Sequence, residues 1–526
     1  MFPVRSVLRL LPAGLRRRMR RNGRGAVIVT GVRWDGDGTL VLTGEHPGPR
    51  RRVILHHRKT GREHVFALES DAESGRFTAR LPVGRIPVFG DELPLTSGDW
   101  TLLRCHWAGG RLPGARLDGR HEFRVRRSGA DELTLRVRRA LAPDEQGASA
   151  QARLRDHDYP ALRTRPLRDL VLYDSMNGRR YSCNPRALFE RLREQDRDLD
   201  HVWISADGQF APPEGARVVL SGTREHYDAV ARARYLVVNN RMPPWFRKRE
   251  GQTYLQTWHG TPLKTLGFDV RTLGEARNGA WERIRGDVPH WDHLISPNPF
   301  TTPIMRRAYG YEGPVLETGY PRNDLLNDPM RDVRAARVRA ALGLPPGKRV
   351  VLYAPTWRDD LIIGRKQRRP YQLALDLGRA RAELGHDHVL LLRAHHHMGT
   401  GRAWRHADSF VVDASGYPDI ADLYLVADVL VTDYSSAMFD FAVTGKPILL
   451  FAYDLEHYRD EVRGFYFDLA AEAPGPLVRT SDELIAELRS PDDGAHKQAY
   501  ADFAARFCPY DDGRAAERVI NEVWGN

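Results

Sequence analysis

Tyr254-Leu255-Gln256-Thr257-Trp258-His259-Gly260-Thr261-Pro262-Leu263-Lys264 opens as a short apolar run and then breaks. Thr261 is a favourable helix N-cap, and Pro262 suits a first helical position. The stretch therefore reads as strand, tight turn, helix start. That places His259 at the carboxyl end of a strand, beside the free N–H groups of a helix. In an open α/β sheet this edge is where ligands bind. A helix N-terminus favours anions, and histidine is the usual side chain for proton transfer near neutral pH. The plain alternative is a histidine that only caps a turn. Gly260, Thr261 and Pro262, and a second histidine-bearing strand end further on, count against it.

Around this stretch, strands alternate with helices. Leu170–Tyr173, His201–Ile204, Ala216–Leu220, Tyr235–Asn240 and His293–Ser296 read as strands, with helices from Pro185 to Arg193 and Thr223 to Ala233. A second unit repeats the rhythm: Val350–Tyr353, Val389–Leu392, Phe410–Asp413, Val429–Thr432 and Pro447–Phe451, closed by amphipathic segments from Ser481 to Trp524. The fold class expected is α/β, a pair of Rossmann-like doubly wound domains over residues 167–335 and 336–526. Upstream the period changes. From Gly25 to about Arg138, short alternating runs such as Thr39–Thr43 and Phe77–Leu81 are separated by turn residues such as Asp35-Gly36-Asp37-Gly38. Regular short strands predict an all-β, β-sandwich-like accessory domain over 25–140. Residues 141–166, rich in Ala, Asp, Gln, Gly and Arg, read as a linker.

At 526 residues the chain has room for several cores, and 41% hydrophobic with 28% charged residues puts it among folded rather than disordered chains. Its net charge of +12 makes nucleic acid, anionic lipid and phosphorylated substrates candidate partners. No basic stripe interleaved with aromatics marks a nucleic-acid platform, so nucleic acid is not expected. Cys105, Cys183 and Cys508 lie far apart, so neither a disulfide framework nor a metal site can be drawn from them, and a reducing compartment is expected. No run approaches the roughly 20 apolar residues of a membrane span. Residues 1–24 form a basic tail, with an arginine cluster from Arg16 to Arg21 behind a broken apolar patch. It is a poor secretory signal. It reads equally as a segment for an anionic membrane surface or as a solvated tail.

In the second unit each apolar strand stops at a polar or special residue. Val350–Tyr353 ends in Ala354-Pro355-Thr356-Trp357-Arg358, Val389–Leu392 in Arg393-Ala394-His395-His396-His397, and Val429–Thr432 in Asp433-Tyr434-Ser435-Ser436. Tyr320-Pro321-Arg322-Asn323-Asp324 closes Val315–Glu317 in the same way. All four are expected on one rim. Arg322 and Arg393 suit phosphate oxygens. Ser435 and Ser436 open a helix running to about Val443, whose first N–H groups can hold a pyrophosphate. Asp433 is expected to orient its loop. Neighbouring strand residues point to opposite faces, so the three consecutive histidines do not converge on a metal, and no metal is expected. No Gly-x-Gly-x-x-Gly or Walker-type loop opens either unit, which argues against a nicotinamide enzyme or a P-loop NTPase. No cofactor is expected.

Taken in order, Gln256–Lys264, Tyr320–Asp324, Tyr353–Arg358, Arg393-Ala394-His395 and Asp433-Tyr434-Ser435-Ser436-Ala437-Met438-Phe439-Asp440 resemble the CDP-glycerol glycerophosphotransferases that build teichoic acid chains. The resemblance covers roughly residues 168 to 524. It implies a GT-B fold and transfer of glycerol phosphate from CDP-glycerol, or ribitol phosphate from CDP-ribitol, to a hydroxyl of a lipid-linked polyol-phosphate or glycan acceptor, with CMP released. It also implies a cytoplasmic protein, peripheral on the inner face of the membrane. By the same likeness His259 and His395 match the two important histidines. Gly260, Thr261, Pro262, Arg322, Thr356, Trp357, Arg393, Ser435, Ser436 and Asp440 match substrate-binding positions. A nucleotide-sugar glycosyltransferase of the same fold is one competing reading. A surface-polymer binding protein with an inactive GT-B unit is another, and the intact His259, Arg393 and His395 argue against it.

Overall fold

The computed structural model describes residues 27–45, 52–57, 63–71, 76–83, 98–118, 121–127, 132–195, 197–208, 210, 213–270, 279–358, 362–364, 367–368, 373–394, 410–489 and 494–525. The chain parts at Leu141–Ala142 into two compact units, with the short segments 207–211 and 363–368 going with the first.

The first unit is all-β, as its short alternating runs require. Its strands are β1 (Val27–Trp34), β2 (Thr39–Glu45), β3 (Arg52–His57), β4 (Glu63–Ser70), β5 (Arg76–Pro82), β6 (Gly98–Trp107), β7 (Arg116–Asp118), β8 (His121–Arg127) and β9 (Glu132–Arg139). They pair in the order β1-β2-β5-β4-β3-β6-β9-β8-β7. β1 also pairs in parallel with the end of β6, Val27 opposite Cys105 and Val29 opposite Trp107, so the sheet curls back on itself. In β5 the period of two is plain: Phe77, Ala79 and Leu81 point into the core and Arg76 and Arg80 to solvent.

The second unit carries two parallel sheets. The first contains β10 (Arg168–Asp174), β11 (Asp200–Ser205), β12 (Arg217–Leu220), β13 (Ala233–Val238), β14 (Thr253–Gln256), β15 (His293–Ser296) and β16 (Val315–Glu317), in the order β12-β11-β10-β13-β14-β15-β16. After β17 (Arg349–Ala354), β18 (Ile362–Gly364) and β19 (Gln367–Arg368) form a two-stranded sheet. The second sheet is completed by β20 (His388–Leu392), β21 (Val411–Asp413), β22 (Val429–Thr432), β23 (Ile448–Phe451) and β24 (Leu477–Val478), in the order β21-β20-β17-β22-β23-β24. Helices bury both faces, so the central strands are apolar throughout; every residue of β20 is buried. In each sheet the first strand sits where the order reverses: between β10 and β13, and between β17 and β22. Such switch points open a crevice at the strand ends.

Two local outcomes differ from the sequence reading. No helix starts at Thr261-Pro262. Instead Lys264 forms a β-bridge with Phe465, the Tyr466 amide donates to the Leu263 carbonyl at 2.8 Å, and a 3-10 turn follows at Gly267–Asp269. A partner some 200 residues away therefore outweighs the local capping signal. The stretch read as linker is helical at Gly147–Arg153 and Tyr159–Leu162, and the Tyr159 ring packs on Trp245 at 4.9 Å. The basic tail 1–24 lies outside the described residues.

The last helix, Ala515–Trp524, returns to the first sheet. Asp324 caps it by accepting from the Ala515 and Ala516 amides at 3.0 and 2.8 Å. Arg518 donates twice to the Thr318 carbonyl, and Trp524 packs on Tyr235 of β13 at 5.2 Å. Among the described residues no helix is long and apolar enough to cross a membrane.

Candidate active site

The switch point of the first sheet holds His259. β13 ends at Val238, and the Asn239 carbonyl that follows lies 2.6 Å from His259 Nδ1. A carbonyl only accepts, so Nδ1 carries the proton and Nε2 keeps its lone pair. Burial pushes the imidazole pKa down to about 4, and the charges of Arg322 and Arg241 act in the same direction. The ring is neutral at ordinary pH and presents a base nitrogen. Trp258 stacks on it, with centroids 4.6 Å apart. Trp258 is held at φ 51°, and the other described non-glycine residues at positive φ lie at the same end of the sheet, Met176 and Asn177 in the loop after β10 and Cys183 at the start of the helix Cys183–Glu194. Strained backbone of this kind persists where surrounding bonds over-determine it. Asn184 supplies several of them: its Nδ2 donates to the Thr257 and Trp258 carbonyls, and its Oδ1 accepts from the Arg322 amide.

Arg322 spans the two sheets' loops. Its Nη2 donates to both oxygens of Asp440 at 2.7 Å, its Nη1 to the Cys183 sulfur at 3.4 Å, and its guanidinium lies over the Tyr320 ring. Asn323 ties Asp440 to Asp511. Gly260 sits directly against the start of the helix Ala437–Ala442. A methyl group at Gly260 would lie 2.7 Å from Ser436 Oγ and 3.0 Å from its Cβ, so the bare backbone lets the two approach without a shift of Ser436.

At the switch point of the second sheet, Asp433 organises the loops. Its Oδ1 accepts from the Thr356 and Tyr434 amides, and its Oδ2 from Arg358. Arg358 is buried between Asp433 and Asp454, within 5.0 Å of the rings of Tyr434, Tyr453 and Tyr458. The loops after β17, β22 and β23 are thereby locked together. Asp433 has the orienting role expected of it. The Thr356 hydroxyl is buried and has no hydrogen-bond partner among the described residues.

Arg180, from the loop after β10, and Arg393, at the end of β20, meet at one carbonyl. Arg180 Nη1 donates to Tyr417 O and Pro418 O at 3.1 Å each; Arg393 Nη1 donates to Ala414 O at 2.8 Å and also to Tyr417 O. Their bonding partners are carbonyls rather than carboxylates. Burial, and then the charge of Arg180, push the Arg393 pKa down to about 9. Two guanidinium groups held this way attract an anion.

The structure thus groups His259, Gly260, Arg322, Ser436 and Asp440 at one junction, with Thr261 and Pro262 buried beside them. Arg322 and Asp440, both expected to touch substrate, are paired with each other. Trp357 packs in the apolar core of the second sheet. Ser435 Oγ accepts from the Ala437 amide. His395, with His396 and His397, lies outside the described residues. Sequence reasoning missed Arg180, Asn184 and Asn239. For Asn239 a signal existed: two asparagines directly follow an apolar strand, as polar residues do at the other strand ends.

Two Rossmann-like sheets whose strand-end loops meet through Arg322 on Asp440 and through Arg180 and Arg393 on the Tyr417 carbonyl, with a neutral histidine beside them, define a GT-B-type architecture. Residues 159–525 match the family model described as CDP-Glycerol:Poly(glycerophosphate) glycerophosphotransferase, and the chain belongs to that family. It is 40% identical over 365 residues to the teichoic acid poly(glycerol phosphate) polymerase of Bacillus subtilis (strain 168), over 68% of this chain and 49% of that protein. The chain thus spans about half the length of that relative. It is 39% identical over 368 residues to the teichoic acid glycerol-phosphate transferase of Staphylococcus aureus (strain NCTC 8325 / PS 47), over 68% of this chain and 94% of that protein. The solved structure of the wall teichoic acid polymerase TagF with CDPG soaked in superposes with a TM-score of 0.66 at 33% identity, over 71% of this chain and 93% of that one.

Proposed function

We propose that the chain transfers glycerol phosphate from CDP-glycerol to a hydroxyl at the end of a growing, lipid-linked poly(glycerol phosphate) strand, releasing CMP. The observation that carries this reading is the fixed tautomer of His259, which leaves the lone pair on Nε2. The acceptor hydroxyl oxygen attacks the phosphorus that bears glycerol, and its proton passes to Nε2. The bond from that phosphorus to the bridging oxygen breaks, and the electron pair leaves with CMP. Arg180 and Arg393 hold the phosphate charge, with fixed cations contributing most of the rate effect. Thr356 and Ser436 face the same rim. His395 is assigned to hydrogen-bonding the leaving phosphate by its family likeness alone. The relatives named for glycerol phosphate at 40% and 39% identity favour glycerol over ribitol, whose named relatives match at 28–32% identity. We further propose a peripheral position on the inner membrane face, supported by the Arg16–Arg21 cluster.

The test is CMP release from protein offered CDP-glycerol, CDP-ribitol or UDP-glucose, each with a glycerol-phosphate-terminated acceptor. Acceptor-dependent release from CDP-glycerol alone, abolished in His259→Ala, is the expected result. Turnover of UDP-glucose alone overturns it. For the membrane position, co-sedimentation with anionic vesicles is expected and should be lost when Arg16, Arg17, Arg18, Arg20 and Arg21 become Gln. Retained co-sedimentation would overturn that role.

A further inference from the structure

A second opening lies beside the first sheet, lined by its strand-end loops and by the helices Gly147–Arg153, Arg224–Arg232 and Ala280–Asp287. It is a cavity of about 560 Å³ at the carboxyl ends of β10 to β13, a size that suits a small ligand. Asp174 and Asn177 line it from the end of β10, Ser221 from the end of β12, and Asn240, Arg241 and Arg283 from beyond β13. The cavity adjoins the reacting histidine through the backbone. Asn239 holds His259 Nδ1, the next residue lines the cavity, and Arg241 is close enough for its charge to act on the imidazole.

The lining is chemically mixed in a specific way. Arg241 and Arg283 are planar donors that match phosphate oxygens. Asn177, Asn240 and Ser221 donate to and accept from hydroxyls. The rings of Tyr227 and Trp245 offer apolar faces to a short carbon backbone. A chain of alternating polyol and phosphodiester has all three features.

We infer that this cavity seats the end of the acceptor chain, Arg241 and Arg283 holding its last phosphodiester so that the terminal hydroxyl reaches His259 Nε2. The inference rests on the proposed glycerol-phosphate transfer. It assigns donor and acceptor to different loops: the Arg180–Arg393 pair takes the donor phosphates, and the Arg241–Arg283 side takes the acceptor.

Arg241→Gln and Arg283→Gln are compared with wild type in two assays. The first is calorimetric binding of a short oligo(glycerol phosphate) with no donor present. The second is the KM for that oligomer and for CDP-glycerol. Binding and acceptor KM should each worsen 10-fold or more, while the KM for CDP-glycerol stays within about twofold. Unchanged oligomer binding and acceptor KM overturn the inference, as does a rise confined to the donor KM. If an arginine variant does not fold, Ser221→Phe, which fills the cavity without altering charge, should produce the same loss, and intact oligomer binding in it overturns the inference. A wild-type protein that turns over none of the donors removes the proposed function, while oligomer binding still decides the cavity.

Discussion

Arg180 and Arg393 donate to the same acceptor, the carbonyl of Tyr417. One comes from the first sheet and the other from the second, so the cleft is closed around two like charges. Replacing Arg180 with Met should leave the fold intact and lower kcat/KM for CDP-glycerol roughly 10- to 100-fold, the effect of one charge-assisted phosphate contact. The check is CMP release against donor concentration at fixed acceptor. A donor KM and kcat equal to wild type would remove Arg180 from the donor site.

The imidazole of His259, pushed down to about 4, stays unprotonated well below neutrality. Activity should therefore show no loss assignable to His259 between pH 6 and 8 and should fall only as pH approaches 4–5, when Nε2 takes up a proton. His259→Gln keeps the polar contact to Asn239 but lacks the base, and should lose about 10²- to 10⁴-fold in kcat. A wild-type profile with a histidine limb near 6.5 would contradict this environment.

Gly260 touches Ser436 across the cleft, so Gly260→Ala should push the two walls apart. The added methyl meets Ser436 Oγ at 2.7 Å and Cβ at 3.0 Å. A kcat reduced about 10-fold with little change in Tm is expected. Ser436→Gly in the same chain should restore most of the loss, since it removes both clashing atoms. A double variant no better than the single one would show that the space is not what Gly260 provides.

Burial pushes the Asp511 carboxyl from 3.8 up to about 7, with Asp440 and Asp324 adding repulsion. The unfolded chain ionises near pH 4, so the folded state holds the extra proton between about pH 4 and 7. Stability from this group is present at low pH and falls as pH rises through that window. Asp511→Asn can still accept from Asn323 and carries no charge. Its stability advantage over wild type should grow from pH 4 to 7 and level off above, reaching about 4 kcal/mol. Thermal melts of both proteins across pH 4–8 measure it, and a pH-independent difference would refute the assignment.

The parallel sheets were readable because burial on both faces leaves long apolar runs, and their ends were readable because a polar residue stops each run. Asp433 and the Ser435-Ser436 helix start followed from that rule. Thr261-Pro262 misled because capping is a local preference, whereas Lys264 finds its partner at Phe465. Arg322 and Asp440 each read as a substrate contact, since nothing local shows that residues 118 positions apart neutralise each other. Arg180 carried no signal, being one arginine in a chain full of them. Only the fold sets it beside Arg393.

The helix Ala515–Trp524 has a consequence for biosynthesis. Trp524, whose carbonyl accepts from Arg197 some 327 residues earlier, covers Tyr235 on a strand made long before it. While the ribosome is still extending the chain, the part of the first sheet around Tyr235 stays bare. Strand pairing there can begin early, but its apolar cover arrives only after the whole second sheet has been synthesised. The nascent protein thus passes through a long interval with an open hydrophobic face, the condition under which chains aggregate or recruit chaperones.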